Sequence, residues 1–273
     1  MENIEEMDYS TFVGLINERN RPSGGIKTIQ EVIVNAHIGK NSKVLEIGSN
    51  TGFTTVNLAL LSDASVVGID IIPDSVKKSE LYAREMGAET ASFVQGTALD
   101  LPFKDGEFDL VWCSNVTSFI EQKREAISEY LRVLKPNGCL AVVPIYYRKS
   151  PPLDLLNQVS KAIGCKIEVW GKTFWIDLFQ KASSGTALEI FYTKDYKYLD
   201  QSNRLEKYVD NILETNLPEK LKTTEEFKQI KERALYFYSL FNENNYKYAG
   251  YSTILMQKHL KMDEEELFLS EEI

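Results

Sequence analysis

Short apolar segments alternate with helix-like segments between residues 43 and 147 of this 273-residue chain. The apolar segments are KVLEIG (43–48), SVVGIDI (65–71), ASFVQG (91–96), FDLVWCS (108–114) and CLAVVPIYY (139–147). Nearly continuous apolar runs are typical of parallel strands that are covered on both faces. Five strands with mostly helical connections therefore predict a doubly wound α/β sheet, with ligands at the edge where the parallel strands end.

Further strand and helix candidates lie outside this region. TALEIFYTKDYKY (186–198) and YKYAGYSTILMQK (246–258) read as strands. Of the 30 aromatic residues, 18 lie at or after Trp170, which gives the second half material for an apolar cap. Helices are predicted at 9–20, 28–39, 152–164, 174–182, 203–215 and 223–243.

Composition narrows the class of protein. The formal charge is −9 and no basic block interrupts it, which disfavours a nucleic-acid partner. The cysteines, Cys113, Cys139 and Cys165, form no C-x-x-C pair, and only His37 and His259 could add imidazole ligands, so no metal site is expected. The first residues, MENIEEMDYS, do not resemble a signal peptide, and no apolar run is long enough to span a membrane. We expect a cytoplasmic protein.

The turn after the first strand, VLEIGSNTGFTT (44–55), resembles a nucleotide-binding loop. A phosphate loop would need a lysine after its last glycine, and Phe53 follows Gly52 here. A dinucleotide loop, G-x-G-x-x-G, would need glycines where Asn50 and Phe53 stand. Asp70 ends the second strand, where a carboxylate can accept both hydroxyls of a ribose. A nucleoside ligand without a phosphate site is therefore favoured.

Four motifs in order resemble those of the class I S-adenosylmethionine-dependent methyltransferases, the large family that includes quinone-biosynthesis and small-molecule enzymes. They are VLEIGSNTG, VVGIDI, QGTALDLPFKDGEFDLV and EYLRVLKPNGCLAVV. The resemblance implies a mostly parallel seven-stranded, Rossmann-like methyltransferase sheet with helical cap insertions. It also implies S-adenosyl-L-methionine as cofactor and S-adenosyl-L-homocysteine as product.

The resemblance assigns cofactor contacts to residues that match the family motifs. Glu46 would organise the loop, Asp70 would accept the ribose hydroxyls, and Ile71 would cover the adenine. The other implied contacts are Gly48, Ser49, Asn50 and Gly52 along the loop, Gly96, Thr97 and Ala98 at the adenine edge, and Ser114 and Asn115 near the transferable methyl.

Two positions depart from the family pattern. Asn50 stands where many members have glycine, but asparagine tolerates left-handed backbone well. Thr97 stands where many have aspartate, and it offers a hydroxyl in place of a carboxylate. We expect cofactor binding to survive both changes.

The turn RPSGG (21–25) precedes the second helix candidate. We expect Arg21, Gly24 and Gly25 to close over the methionyl end of the cofactor, with Arg21 or backbone N–H groups meeting its carboxylate. The alternative is a plain joint between two helices. The predicted organisation is an N-terminal lid at 1–27, a cofactor-binding core at 28–148, the rest of the sheet with an aromatic-rich cap at 149–262, and an acidic tail at 263–273.

The acceptor site is predicted at the end of the fifth strand, where Tyr146, Tyr147 and Arg148 are candidates to orient or deprotonate the nucleophile. The alternative is that they pack beneath the cap. The favoured activity is methyl transfer to a small, partly apolar metabolite, mainly by positioning. Methylation of a peptide or protein and a non-catalytic cofactor-binding role remain the other hypotheses.

Overall fold

A computed structural model describes residues 4–182, 187–222 and 224–259. The predicted acidic tail, 263–273, lies outside these residues. The helices are α1 (Tyr9–Leu15), α2 (Ile26–Asn35), α3 (Phe53–Ser62), α4 (Pro73–Met86), α5 (Lys123–Val133), α6 (Leu153–Ile163), α7 (Lys172–Ala182), α8 (Leu205–Asn216) and α9 (Glu225–Tyr248). Two of the predicted helices are shorter than expected, because left-handed residues, Asn17 and His37, follow their ends.

The strands form one mixed sheet. They are β1 (Lys43–Ile47), β2 (Ser65–Asp70), β3 (Ala91–Gln95), β4 (Phe108–Cys113), β5 (Leu134–Val142), β6 (Ile145–Tyr147), β7 (Ala187–Lys197) and β8 (Ala249–His259). The first five pair in parallel in the order β3-β2-β1-β4-β5. The order reverses at β1 and β4, so the carboxyl ends of these strands flank a crevice of the kind that binds ligands.

The antiparallel side of the sheet is built around β8. Cys139 of β5 faces Gln257 and Ile145 of β6 faces Tyr251, so β6 continues β5 along one edge of β8 in a single register. Pro144 separates the two strands, and β7 pairs with β8 over 250–259. If β5 and β6 are counted as one interrupted strand, the sheet has the seven strands that the sequence predicts.

Alternate residues of the central strands feed two apolar clusters, as expected of a sheet covered on both faces. Leu45 and Val111 join one cluster, which also contains residues of α5 and α7. Their neighbours Val44 and Leu110 join the other, with residues of α2, α3 and α4. The strands β1, β2, β4 and β5 are therefore fixed by burial on both sides, whereas the residues of the edge strand β3 are only partly buried or exposed.

A third apolar cluster lies outside the sheet and forms the cap. It joins α1, α6, α8 and α9, with Phe12 and Phe237 fully buried and their ring centroids 5.3 Å apart. The N-terminal helix is thus part of the cap. No helix among the described residues is long and apolar enough to cross a membrane.

Candidate functional site

The loop between β1 and α3 turns through three left-handed residues. Gly48, Asn50 and Gly52 have φ of 72°, 45° and 86°. A β-carbon on Gly52 would lie 2.6 Å from the β-carbon of the buried Ser79, so only glycine fits there without movement. The loop therefore holds its backbone close against α4, with the first turn of α3 following directly.

Asp70, at the end of β2, holds this loop. Its two carboxylate oxygens accept the backbone N–H of Asn50 at 2.7 Å and of Ile72 at 2.9 Å. Each oxygen of an ionised carboxylate has a second lone pair, so Asp70 can still accept two ligand hydroxyls. The adjacent Ile71 leaves 67% of its surface exposed, as an apolar wall beside this acceptor.

The side chain of Asn50 closes the loop further. Its Oδ1 accepts the backbone N–H of Thr51 at 2.7 Å, and its carbonyl accepts the Ser79 hydroxyl at 3.2 Å. A glycine at this position could adopt the same backbone but could not make the side-chain bond.

Two buried polar residues, one in β1 and one in the loop itself, add to this site. The Glu46 carboxylate accepts the hydroxyl of Thr55 in α3, and burial raises the pKa of Glu46 to about 7 against the opposing hydrogen bonds of Thr55 and Thr54. Ser49 is 3% exposed, and its hydroxyl has no hydrogen-bond partner among the described residues. An unpaired buried hydroxyl is costly, which is consistent with a ligand that completes its bonding.

The turn after β3 lies next to Asp70. Gly96 donates its N–H to the Asp70 carbonyl at 3.0 Å, and Thr97 Oγ1 accepts the N–H of Leu99 at 3.2 Å. Ala98 packs at the border of the first apolar cluster. The structure therefore brings the predicted adenine-edge residues beside the predicted ribose acceptor.

Ser114 and Asn115 follow β4 at the same edge. Asn115 has φ 49°, and its Oδ1 accepts the Ser118 hydroxyl at 2.9 Å and the N–H of Ile145 at 3.2 Å. Asn115 thus joins the end of β4 to the beginning of β6. Gly48 packs against Val116, the residue after Asn115. A β-carbon on Gly48 would lie 2.7 Å from Val116 Cγ2.

The N-terminal segment crosses the loop. The guanidinium of Arg21 lies 5.0 Å from the centroid of the Phe53 ring, at the beginning of α3. Gly24 and Gly25 have φ of 79° and 59°, and Gly24 abuts Thr28 and the hydroxyl of Tyr251. Arg21 therefore lies beside the loop, whereas Gly24 lies against α2 and β8, and the cofactor contacts of Arg21, Gly24 and Gly25 stay predictions.

The three residues predicted near the acceptor point to different partners. Tyr146 is 8% exposed and lies in the first apolar cluster. The Tyr147 hydroxyl donates to Asn244 Oδ1 at 3.2 Å, and Arg148 Nε donates to the carbonyl of Ala249 at 2.8 Å. These contacts join β6 to α9 and β8, and the catalytic roles of the three residues stay predictions.

Sequence reasoning missed residues that reach the same edge from distant positions. Ser23 Oγ lies 2.5 Å from the hydroxyl of Tyr198, and the Thr51 hydroxyl donates to the carbonyl of Glu18 at 3.1 Å. The partners are 175 and 33 positions apart in the chain, so no local pattern identifies them.

Comparison with known sequences points to one family. A family model described as a methyltransferase domain matches residues 45–142. An uncharacterized protein of Haemophilus influenzae is 30% identical over 181 residues, which cover 65% of this chain and 72% of that protein. The chloroplastic tocopherol O-methyltransferase of Arabidopsis thaliana is 34% identical over 181 residues, 65% of this chain and 51% of that enzyme. This chain thus spans about half the length of the tocopherol enzyme.

Solved structures share the fold. The MccD protein superposes with a TM-score of 0.73 at 24% identity, over 88% of this chain and 100% of that one. A methyltransferase from Geobacter sulfurreducens, solved with S-adenosyl-L-homocysteine, gives a TM-score of 0.68 at 15% identity, over 92% and 98% of the two chains. At these identities the likeness concerns the fold.

Proposed function

The chain belongs to the class I S-adenosylmethionine-dependent methyltransferases, and we propose that it transfers a methyl group from S-adenosyl-L-methionine to a small, partly apolar metabolite. The observation that carries the proposal is the closure of a left-handed loop onto Asp70, which retains free lone pairs for a ribose diol. The unpaired Ser49 hydroxyl and the exposed Ile71 wall also fit a nucleoside.

The residues in the proposed cofactor site divide by the part of the ligand they would hold. Asp70 accepts the ribose hydroxyls, while Ile71 and the turn of Gly96, Thr97 and Ala98 surround the adenine. When bound, the cofactor supplies an electrophilic methyl group on a sulfonium sulfur. The loop along the methionyl and ribose portions of the cofactor is shaped by Glu46, Gly48, Ser49, Asn50 and Gly52. The methionyl end of the cofactor would be surrounded by Ser114, Asn115, Arg21, Gly24 and Gly25.

The proposed acceptor lies beneath the cap and beside Tyr146. His37 precedes β1 and His259 ends β8 opposite the beginning of β5, so both imidazoles lie at the far edge of the sheet. Positioning of the acceptor is therefore the main contribution expected from the protein. A relative named for tocopherol favours a small molecule over a peptide or protein acceptor. A non-catalytic role finds no support among these relatives.

The remaining assignments are also proposals. We divide the chain into the N-terminal lid, 1–27, the cofactor-binding core, 28–148, and the region 149–262 with the cap. The protein works in the cytoplasm, which agrees with the free thiols of Cys113, Cys139 and Cys165. Its expected partner is the metabolite, and no nucleic acid.

Titration calorimetry with S-adenosyl-L-homocysteine tests the cofactor site without an acceptor. Asp70→Asn removes the charge that strengthens the ribose hydrogen bonds, and we expect the affinity to fall by about 10- to 100-fold. The matched control is Asp74→Asn, since Asp74 is an aspartate in the first turn of α4 with an 81% exposed side chain. Thermal unfolding of both variants checks the fold. Equal affinities for the two variants would remove the proposed site.

The acceptor class is tested with methyl-labelled cofactor and a fractionated cell lysate. We expect label in the small-molecule fraction with the wild-type protein and much less with Asp70→Asn at the same cofactor concentration. Label in protein would support the peptide alternative. Absence of label, together with tight binding of S-adenosyl-L-homocysteine, would support the non-catalytic one.

A further inference from the structure

A carboxylate is buried between the N-terminal segment and the cap. We call residues 17–25 the strap. Glu18 in the strap is 8% exposed, and its Oε1 accepts the hydroxyl of Tyr208 in α8 at 2.7 Å. Its other oxygen, Oε2, accepts the hydroxyl of Tyr238 in α9. One side chain therefore fastens the strap to both of these cap helices.

The backbone of the strap contacts the proposed cofactor loop. Thr51, which is 1% exposed, donates its hydroxyl to the Glu18 carbonyl at 3.1 Å and accepts the N–H of Asn20 at 3.4 Å. The residue that holds the cap thus also holds the loop, through its own carbonyl. Few other ways of satisfying these groups exist, because Glu18 and Thr51 are both buried.

The contacts continue to the proposed ribose acceptor. Thr51 donates its backbone N–H to Asn50 Oδ1 at 2.7 Å, and Asn50 donates its own to Asp70 Oδ2 at 2.7 Å. An unbroken series of contacts therefore runs from the cap tyrosines through Glu18, Thr51 and Asn50 to Asp70. Successive members of this series are joined by a hydrogen bond or belong to the same residue. A shift of the cap helices would therefore displace the loop.

The groups around Glu18 keep this junction specific. Tyr9 of α1, Tyr208 and Arg21 are close enough to interact electrostatically with the carboxylate, and Tyr238 bonds to it. Removing a hydroxyl donor from a buried carboxylate leaves an acceptor oxygen unpaired, which is costly. The junction is therefore favoured only when the cap and the strap are in the arrangement that the structure shows.

We infer that Glu18 is a positioning residue that couples the cap helices α8 and α9 to the ribose end of the cofactor loop. The inference rests on the proposed cofactor role of the loop and Asp70. Cofactor binding would then stabilise the closed cap. By reciprocity, a metabolite that holds the cap closed would raise the affinity for the cofactor by the same factor. Glu18 would in this way make the binding of the two substrates cooperative.

A double-mutant cycle on the full chain tests the coupling with S-adenosyl-L-homocysteine as the probe. Tyr238→Phe removes one bond to Glu18 at the cap, and Thr51→Val removes the hydroxyl at the loop. We expect each substitution to weaken the affinity for the probe by about 3- to 10-fold. Because both act through the same junction, the double variant should be no weaker than Thr51→Val alone. The matched control is Tyr236→Phe on the same helix, which is 40% exposed and should bind like the wild type.

Hydrogen exchange supplies a readout that a merely structural role would not produce. In the wild type, the probe should slow amide exchange in α8 and α9. In Tyr238→Phe the protection of α9 should disappear although the probe still binds, while α8, which Tyr208 still bonds to Glu18, should keep part of its protection. Glu18→Gln, which keeps an acceptor for one tyrosine, should retain part of it. Two results would overturn this inference and leave the proposed function intact. One is that Tyr238→Phe binds the probe as tightly as Tyr236→Phe. The other is that the affinity losses of the two single variants multiply in the double variant. Failure of the wild type to bind the probe would overturn the proposed function as well.

Discussion

Glu46→Gln should remove a pH dependence from the stability of the folded chain. Burial raises the pKa of Glu46 from an ordinary 4.5 to about 7 in the folded state. The folded state therefore holds a proton that the unfolded state releases between these two values. Stability from this group is complete below about pH 4.5 and is lost as the pH rises to about 7. Each unit of pKa shift corresponds to about 1.4 kcal/mol, so the free energy of unfolding falls by about 3 kcal/mol over this range.

Urea denaturation of the wild type and Glu46→Gln at several pH values between 4.5 and 8 measures this loss. The stability of the wild type relative to the variant should fall by about 3 kcal/mol across the interval. Glu129→Gln is the control, because hydrogen bonds from Arg132 lower the pKa of Glu129 and its stability difference should therefore stay nearly constant over this interval. Its carboxylate stabilises the fold above its ordinary pKa, and that contribution declines as the pH falls. A stability difference for Glu46→Gln that stays constant with pH would refute the reasoning.

Substitutions at three further positions probe the loop and the residue that follows β6. Gly52→Ala places a β-carbon 2.6 Å from Ser79 at a φ of 86° and should cost about 2–3 kcal/mol of stability, measured by denaturation. Asn50→Gly should lose less affinity for S-adenosyl-L-homocysteine than Asn50→Ala, because alanine adds about 1 kcal/mol of left-handed strain; the reverse order would contradict the role given to φ. Arg148→Met leaves the Ala249 carbonyl without its side-chain donor and should cost about 1 kcal/mol without changing that affinity. A changed affinity would instead connect Arg148 with the cofactor site.

The central strands could be predicted because their signal is local. The five apolar segments contain β1 to β4, β6 and residues 139–142 of β5, since burial on both faces favours uninterrupted apolar runs, but β5 itself begins earlier, at Leu134. The predicted positions of the helix ends were less accurate. α2 stops at Asn35 and not near Gly39, because His37 takes φ 53°. Asparagine and histidine tolerate a left-handed conformation, but their spacing in the sequence does not indicate where it occurs.

That the turns of the proposed cofactor site lie together was also predictable, for a topological reason. Its loop, Asp70 and the turn at Gly96 each follow a parallel strand, and neighbouring strands bring these turns together without any need to know the rest of the fold. The strap shows the opposite case. Glu18 meets Tyr238 across 220 positions, and its other cap partner, Tyr208, across 190. Such pairs depend on how the cap docks, which no periodic pattern specifies.

The same distinction explains the acceptor side. The rule that functional residues follow parallel strands predicted Tyr146, Tyr147 and Arg148, but Pro144 divides this strand and both of its halves pair with the antiparallel β8. The side chains after the break then alternate between the apolar cluster and the α9 junction, where Asn244 and Ala249 satisfy them. Tyr198, brought beside Ser23 by β7, reaches the same edge from outside the predicted motif. We therefore expect acceptor specificity to depend on the strap, the cap and β7, elements whose contacts with the core are long-range.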